Sequence, residues 1–230
     1  RIGDSRLNIK GGSFCIPDHA IANFYDLYYK NVFINNNEEY LTEKQQTDGP
    51  IMIDFDFRYN ANIKERLHTD SDIEIIVNTY LNIIKDMLEV KTDRSIPIYV
   101  FQKPNVHSLP DKTKDGIHVI IGINMCRSLQ IILREKVLNI IEEPYVWEHL
   151  GNNLTNSWDA VIDSGVAKGT VNWQLYGSRK PDHEAYKLYK WYSVELDSDD
   201  DEWILEENNI NDFNIKLNFS KLSAQYKNHI

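Results

Sequence analysis

The stretch Ile51-Met52-Ile53-Asp54-Phe55-Asp56-Phe57-Arg58 decides how the chain is read. At the two-residue period of a strand, Ile51, Ile53, Phe55 and Phe57 share one face, and Met52, Asp54, Asp56 and Arg58 share the other. Carboxylates two residues apart on a strand project the same way, about 6.6 Å apart along it. Like charges so close repel unless a cation lies between or above them. Two readings follow: a divalent-metal platform, or an acidic outward face on an edge strand. The eight residues alone leave both open.

Composition narrows the class. At 230 residues, with 42% hydrophobic and 11% aromatic content, the chain can bury a sizeable core and does not read as disordered. No apolar run approaches the ~18 residues a membrane helix needs. No charged and then apolar leader is visible, and the absence of a starting Met reads as a segment cut from something longer. Cys15 and Cys126 are too few for a disulfide framework or a Cys-rich zinc site, which favours a reducing compartment. The net charge of −10 argues against an overall basic nucleic-acid binder. Much of that excess sits in one run: Asp197, Asp199, Asp200, Asp201, Glu202, Glu206 and Glu207. It is expected to be a solvated loop, and a local basic channel elsewhere stays compatible with the total.

Along the chain, Gly11-Gly12 reads as a turn into a short extended piece, Ser13 to Ile16. Pro17 suits the first position of a helix that carries Ala20, Ile21, Phe24, Leu27 and Tyr28. Ser71 with Glu74 makes a capping box for a helix from about 72 to 90, striped with Ile73, Ile76, Val77, Tyr80, Leu81, Ile84 and Leu88. Ile96 to Phe101 is a predicted strand, and Lys103 to Asp115 a polar loop. Gly116 to Gly122 is a further strand, with Ile117, Val119 and Ile121 on one face and His118 on the other. Ser128 can cap a helix with stripe Leu129, Ile132, Val137, Leu138 and Ile141. Asn172 to Tyr176 and Tyr186 to Leu196 read as strands, and the tail from Trp203 is polar and poorly patterned. Irregular alternation of strands and helices predicts an α+β or mixed α/β fold.

Three pieces can carry chemistry: Asp54-x-Asp56, His118, and Asp163 after Val161-Ile162. Each is read as sitting in or ending an apolar strand. Three carboxylates can hold two divalent ions roughly 4 Å apart. Phosphoryl transfer also needs groups to hold a triphosphate, and His118, Arg179 and Lys180 are the candidates. Each piece has an ordinary alternative: Asp163 before Ser-Gly as a turn residue, His118 as a structural histidine, Arg179-Lys180 before Pro181 as a surface turn. Trp173 and Tyr176 read as core or half-buried strand residues. The joint pattern favours a site.

Several motifs in this order resemble a known family. They are Arg1-Ile2-Gly3-Asp4, Gly11-Gly12-Ser13-Phe14, Ile16-Pro17, Ile53-Asp54-Phe55-Asp56, Val100-Phe101-Gln102-Lys103-Pro104, Lys114-Asp115-Gly116-Ile117-His118-Val119, Ile162-Asp163, and Asn172-Trp173-Gln174-Leu175-Tyr176-Gly177-Ser178-Arg179-Lys180-Pro181. Over residues 1 to about 191 the chain resembles the archaeo-eukaryotic primase superfamily. More narrowly, it resembles the N-terminal primase domain of the primase–helicases of large nucleocytoplasmic DNA viruses. The resemblance implies a two-lobed catalytic core over 1–196, one lobe like an RNA-recognition motif, with 197–230 as an acidic loop and C-terminal extension. It implies that Asp54, Asp56 and Asp163 are catalytic ligands of Mg²⁺ or Mn²⁺, two ions in all. His118, Arg179 and Lys180 would bind the nucleotide. The implied activity is that of a DNA primase, a template-directed nucleotidyltransferase using NTP or dNTP on single-stranded DNA. The implied partner is a helicase in the same chain or complex, and the implied location is a cytoplasmic viral replication site, with no membrane. Neither a zinc-binding Cys/His set nor a Gly-x-x-x-x-Gly-Lys-Ser/Thr loop occurs in this segment. Two alternatives are a metal-dependent nucleotide-sugar glycosyltransferase and a non-catalytic single-strand-binding or helicase-docking module. The first explains Asp54 and Asp56 but not His118 with Asp163 and Arg179; in the second the acidic face is incidental.

Overall fold

The computed structural model describes residues 1–90, 94–143, 147–197 and 199–230. Ser198, inside the acidic run, lies outside the described residues. From the N-terminus, Pro17 precedes a short 3-10 turn, α1 (Ile21–Tyr29) runs into a π-helical turn to Ile34, and β1 (Thr42–Glu43) follows. Leu27, expected in the α1 stripe, is exposed, and Tyr28 is the buried residue of that helix.

The opening stretch is the middle of β2 (Asp48–Asn60), a strand whose alternation is nearly complete. After it come α2 (Asp70–Met87), β3 (Ile96–Gln102), β4 (His107–Ser108), β5 (Lys112–Cys126) and α3 (Arg127–Ile141). Three short helices, α4 (Glu148–Gly151), α5 (Trp158–Val161) and α6 (Ser164–Lys168), lead to β6 (Trp173–Gln174), β7 (Lys187–Leu196), β8 (Trp203–Glu207) and α7 (Ile215–Asn218). The main sheet is antiparallel in the order β2-β5-β3-β7-β8, with β4 paired to β5, and β1 pairs with β6 as a separate ribbon. The fold is mixed α and β, as the sequence predicts. No helix among the described residues is long and apolar enough to cross a membrane.

The two faces of the sheet do different work. Ile51, Ile53, Phe55, Phe57 and Tyr59 join Ile117, Val119 and Ile121 of β5 against Ile76, Tyr80, Leu81 and Ile84 of α2 and Leu133 and Val137 of α3. Met52, Tyr99, Phe101 and Ile120 point to the other face, where they pack with Val166, Trp173, Leu222 and Ala224. Asp54 and Asp56 stand on that second face, beside Met52.

Because β2 lies at the end of the sheet order, its outer edge needs cover. Residues 154–163 supply it. Leu154 bridges Tyr59 and Ile162 bridges Phe55. Between these points the Asn156 side chain acts as a short strand partner: its Oδ1 accepts from Arg58 N at 3.1 Å, and its Nδ2 donates to Asp56 O at 2.9 Å.

Several expectations shift. The capping box on α2 is Thr69 with Asp72, not Ser71 with Glu74, because Thr69 is the extended residue that can turn its side chain onto the first turn. The Lys103–Asp115 segment is not all loop: Lys112 to Asp115 already pair with Phe57 to Asn60. α3 starts at Arg127 with no side-chain cap, and its stripe turns so that Ile132 is exposed while Leu133 and Arg134 are buried. Ile162-Asp163 does not end a strand; a single bridge separates α5 from α6. The predicted strand from Asn172 shrinks to Trp173–Gln174. The tail is folded, since β8 pairs with β7 and places Glu207 on Lys190 at 2.5 Å.

Leu81 is fully buried between α2 and the sheet. Leu81→Ala is expected to lower unfolding free energy by about 2–5 kcal/mol, read as a drop in the urea midpoint. A midpoint unchanged from the parent would contradict this account of the core.

Candidate active site

The carboxylate face is set by pairing register. Asp54 sits opposite His118 and Asp56 opposite Gly116. His118 Nε2 stands 3.4 Å from Asp54 Oδ1. Burial disfavours the Asp54 carboxylate, but His118, and then Lys180 and Lys103, outweigh it and hold the group below its usual range. Asp56 Oδ2 accepts from Arg58 at 2.9 Å. Asp163 reaches the same place from the covering segment: its backbone N–H donates to the carbonyl of Asp54 at 3.0 Å. Its side chain caps α6, Oδ1 accepting from Gly165 N at 2.8 Å. The turn role and the neighbourhood of Asp54 therefore belong to one residue. Each of the three carboxylates keeps an oxygen that accepts no hydrogen bond from the described residues. Oxygen donors of this kind suit hard divalent cations. Among the described residues, no three His, Cys, Asp or Glu side chains close into a ready-made ion cage.

His118 is held as a plate between two aromatic rings. Tyr186 stacks on it at 3.6 Å between centroids and 18° between planes, and Trp173 lies at 4.4 Å on a tilt. The stack explains why residue 116 is glycine. A Cβ there would stand 2.7 Å from the Tyr186 hydroxyl and 2.8 Å from the Phe55 carbonyl. Tyr186 bears on His118 directly, and the sequence reading did not single it out; the signal available was an aromatic residue at the head of a predicted strand.

The basic pair divides. Ser178 is buried, its hydroxyl 2.7 Å from Tyr28 Oη and accepting from Leu41 N at 3.1 Å, so it anchors the loop. The next residue, Arg179, turns to Glu38 at 2.9 Å. Lys180 is exposed and acts on Asp54. The structure thus brings Asp54, Asp56, Asp163, His118 and Lys180 into one neighbourhood and commits Arg179 to an ion pair at its side.

Behind the face, on the helix side of β5, Asp115 is fully buried. Arg66 reaches it at 3.1 Å and His68 Nδ1 lies 3.1 Å from it. Burial works against its ionisation, but those two partners prevail and hold the carboxyl below its ordinary value. On the Asp163 side, buried Arg134 donates to the carbonyls of Ile162 and Asp159 at 2.6 and 2.7 Å, fixing the turn that presents Asp163.

The arrangement is a half-buried face carrying Asp54, Asp56 and Asp163 with His118 opposite Asp54. The family model described as "C962R protein N-terminal AEP domain" matches residues 4–192. The chain belongs to this family, a branch of the archaeo-eukaryotic primases. It is 31% identical over 179 residues, 77% of its length, to "Putative helicase L207/L206" of Acanthamoeba polyphaga mimivirus. It is 22% identical over 197 residues, 85% of its length, to "Putative primase C962R" of an African swine fever virus isolate from Malawi. The chain spans about one fifth of those proteins, 18% and 19% of their lengths.

The Asp115 cluster yields a pH signature. A carboxyl with a depressed folded pKa adds stability above its ordinary value, 3.8, and loses it as pH falls through the folded value. Asp115→Asn is expected to cost roughly 1–3 kcal/mol at neutral pH. Its deficit relative to the parent should shrink as pH drops below about 4. Urea midpoints across pH 7 to 2 measure this, and parallel profiles would contradict it.

Proposed function

We propose that the chain is the nucleotidyl-transfer domain of a DNA primase, joining NTP or dNTP on a single-stranded DNA template. The observation that carries the reading is the cross-strand pair Asp54–His118, with Asp163 hydrogen-bonded to the Asp54 backbone on the same half-buried face. Family membership supports it at the level of the class, and the name of the African swine fever virus relative is in keeping with it.

In this reading Asp54, Asp56 and Asp163 hold Mg²⁺ or Mn²⁺. Two such ions supply charge neutralisation at the reacting phosphate and favour the attacking 3′-oxygen. The protein's own share is positioning, the main protein contribution to phosphoryl transfer. Asp54 stays ionised because His118, Lys180 and Lys103 outweigh its burial. His118, immobilised between Tyr186 and Trp173, offers an imidazole in fixed orientation to the phosphate chain. Lys180 adds a point charge from a loop pinned by Ser178. A helicase in the same chain or complex is the partner suggested by the name of the mimivirus relative.

The test is primer synthesis on single-stranded DNA with Mg²⁺ or Mn²⁺. Asp54→Ala and Asp56→Ala are each expected to cut synthesis at least about a hundredfold while leaving the thermal midpoint near that of the parent. Parental synthesis in both variants would overturn the reading. So would metal-dependent hydrolysis of a nucleotide sugar with no primer made.

A further inference from the structure

The N-terminal piece, residues 1–16, is pinned in place. Ile2 N donates to the Tyr40 carbonyl at 2.8 Å, and Gly12 N donates to the Arg1 carbonyl at 3.2 Å, so the piece doubles back on itself. Its two arms cross at Gly3 and Gly11, where a Cβ on Gly3 would stand 2.7 Å from the Gly11 nitrogen. Just beyond the crossing, Phe14 is 73% exposed. Its ring folds back over Gly12, and a Cβ there would stand 3.3 Å from Phe14 Cζ. A single exposed apolar side chain is ordinary on a protein surface. Phe14, however, borders an open groove of about 1030 Å³ whose walls include Phe24, Tyr25, Lys44, Asn172 and Gln225.

The charge of this groove differs from that of its neighbours. Two cations, Arg1 and Lys44, line it with one carboxylate, Glu43. That carboxylate is taken up by the tail: it accepts from the Ser223 hydroxyl and from Ala224 N at 3.3 Å. Two other open grooves are acidic, one lined by Glu38, Asp182 and Glu184, the other by Glu143 and Glu148. A polyanion is repelled by both of those and is accepted by the first. The groove also lies next to the carboxylate face. Thr42 and Glu43 of β1 line it and pair with Gln174 and Trp173 of β6. Asn172, on the same wall, donates to Thr42 Oγ1 at 3.3 Å, and the residue after it, Trp173, lies 4.4 Å from His118.

We infer that this groove is a path for single-stranded DNA, with bases stacked on Phe14 and the aromatic wall of α1 and phosphates beside Arg1 and Lys44. Rings and cations in one groove are what a single strand needs, since every base has a face to stack and every linkage a charge. DNA as the occupant rests on the nucleotidyl-transfer reading; the groove rests on the geometry. The ribbon of β1 and β6 would then separate the strand from His118 by one layer of side chains.

The probe is a fluorescein-labelled oligothymidylate, followed by anisotropy over a range of KCl concentrations. Phe14→Ala is expected to weaken binding at least about fivefold, the low end for one base stacked on one ring. Phe14→Trp should restore it. Lys44→Gln should lower the slope of log affinity against log salt by roughly 0.7, the value for one phosphate of a single strand. Leu217→Ala, at an exposed leucine of α7 outside the groove, should bind like the parent. Parental affinity in Phe14→Ala, an equal loss in Leu217→Ala, or an unchanged salt slope in Lys44→Gln would overturn the inference. So would a parent that is dimeric by light scattering and monomeric as Phe14→Ala, since the groove would then be an interface between copies. Phe14-dependent DNA binding by a chain that makes no primer would keep the groove and count against the primase reading. Primer synthesis with unchanged DNA affinity in Phe14→Ala would do the reverse.

Discussion

The antiparallel register between β2 and β5 is the constraint on which the rest depends. It sets Asp54 against His118 and Phe55 against Ile117, so acids and core anchors separate onto opposite faces. A slip of one residue would drive both aspartates into the packing of α2 and α3 and turn Phe55 and Phe57 outward. The register changes between Pro50 and Ile51, so one irregularity lies just ahead of the site and leaves the paired residues beyond it in step. The fully buried rings of Phe55 and Phe57 hold the alignment against the helices.

The third aspartate is a consequence of a different need. β2 ends the sheet, and its outer backbone is met by residues 154–163 rather than by another strand. Covering that edge is what carries Asp163 to Asp54. α3 braces the segment from two points, two turns apart. Arg134 grips the carbonyls before Asp163, and Arg127 donates to the carbonyls of Val166 and Ala167 at the far end of α6. The side chains that brace this segment are thus arginines on carbonyls, Arg134 buried and Arg127 half-buried.

The sequence carried the parts of this that follow from periodicity. Ile53 to Arg58 alternates strictly, so the strand and its acidic face were legible, and α2 was legible from its stripe. What escaped depends on partners distant in the chain. The start of β5 at Lys112 is polar and becomes strand only by pairing with Phe57 to Asn60. Ile162-Asp163 has an apolar approach like a strand, yet Ser157 and Asp163 cap short helices on either side of one bridge. Arg179 and Lys180 are adjacent and look equivalent. Only the tertiary position of Glu38 separates them. Lys103 lay within a motif and Tyr186 at a strand end, and neither position signals that the Lys103 ammonium lies by the ring that stacks on His118.

The most direct measurement is the anomalous scattering of Mn²⁺ in crystals of the chain grown with a nucleoside triphosphate. The account predicts manganese peaks ligated by Asp54, Asp56 and Asp163, with the triphosphate running from them past His118 toward Lys180. Manganese bound elsewhere, or a nucleotide bound with none of these carboxylates near its phosphates, would contradict it.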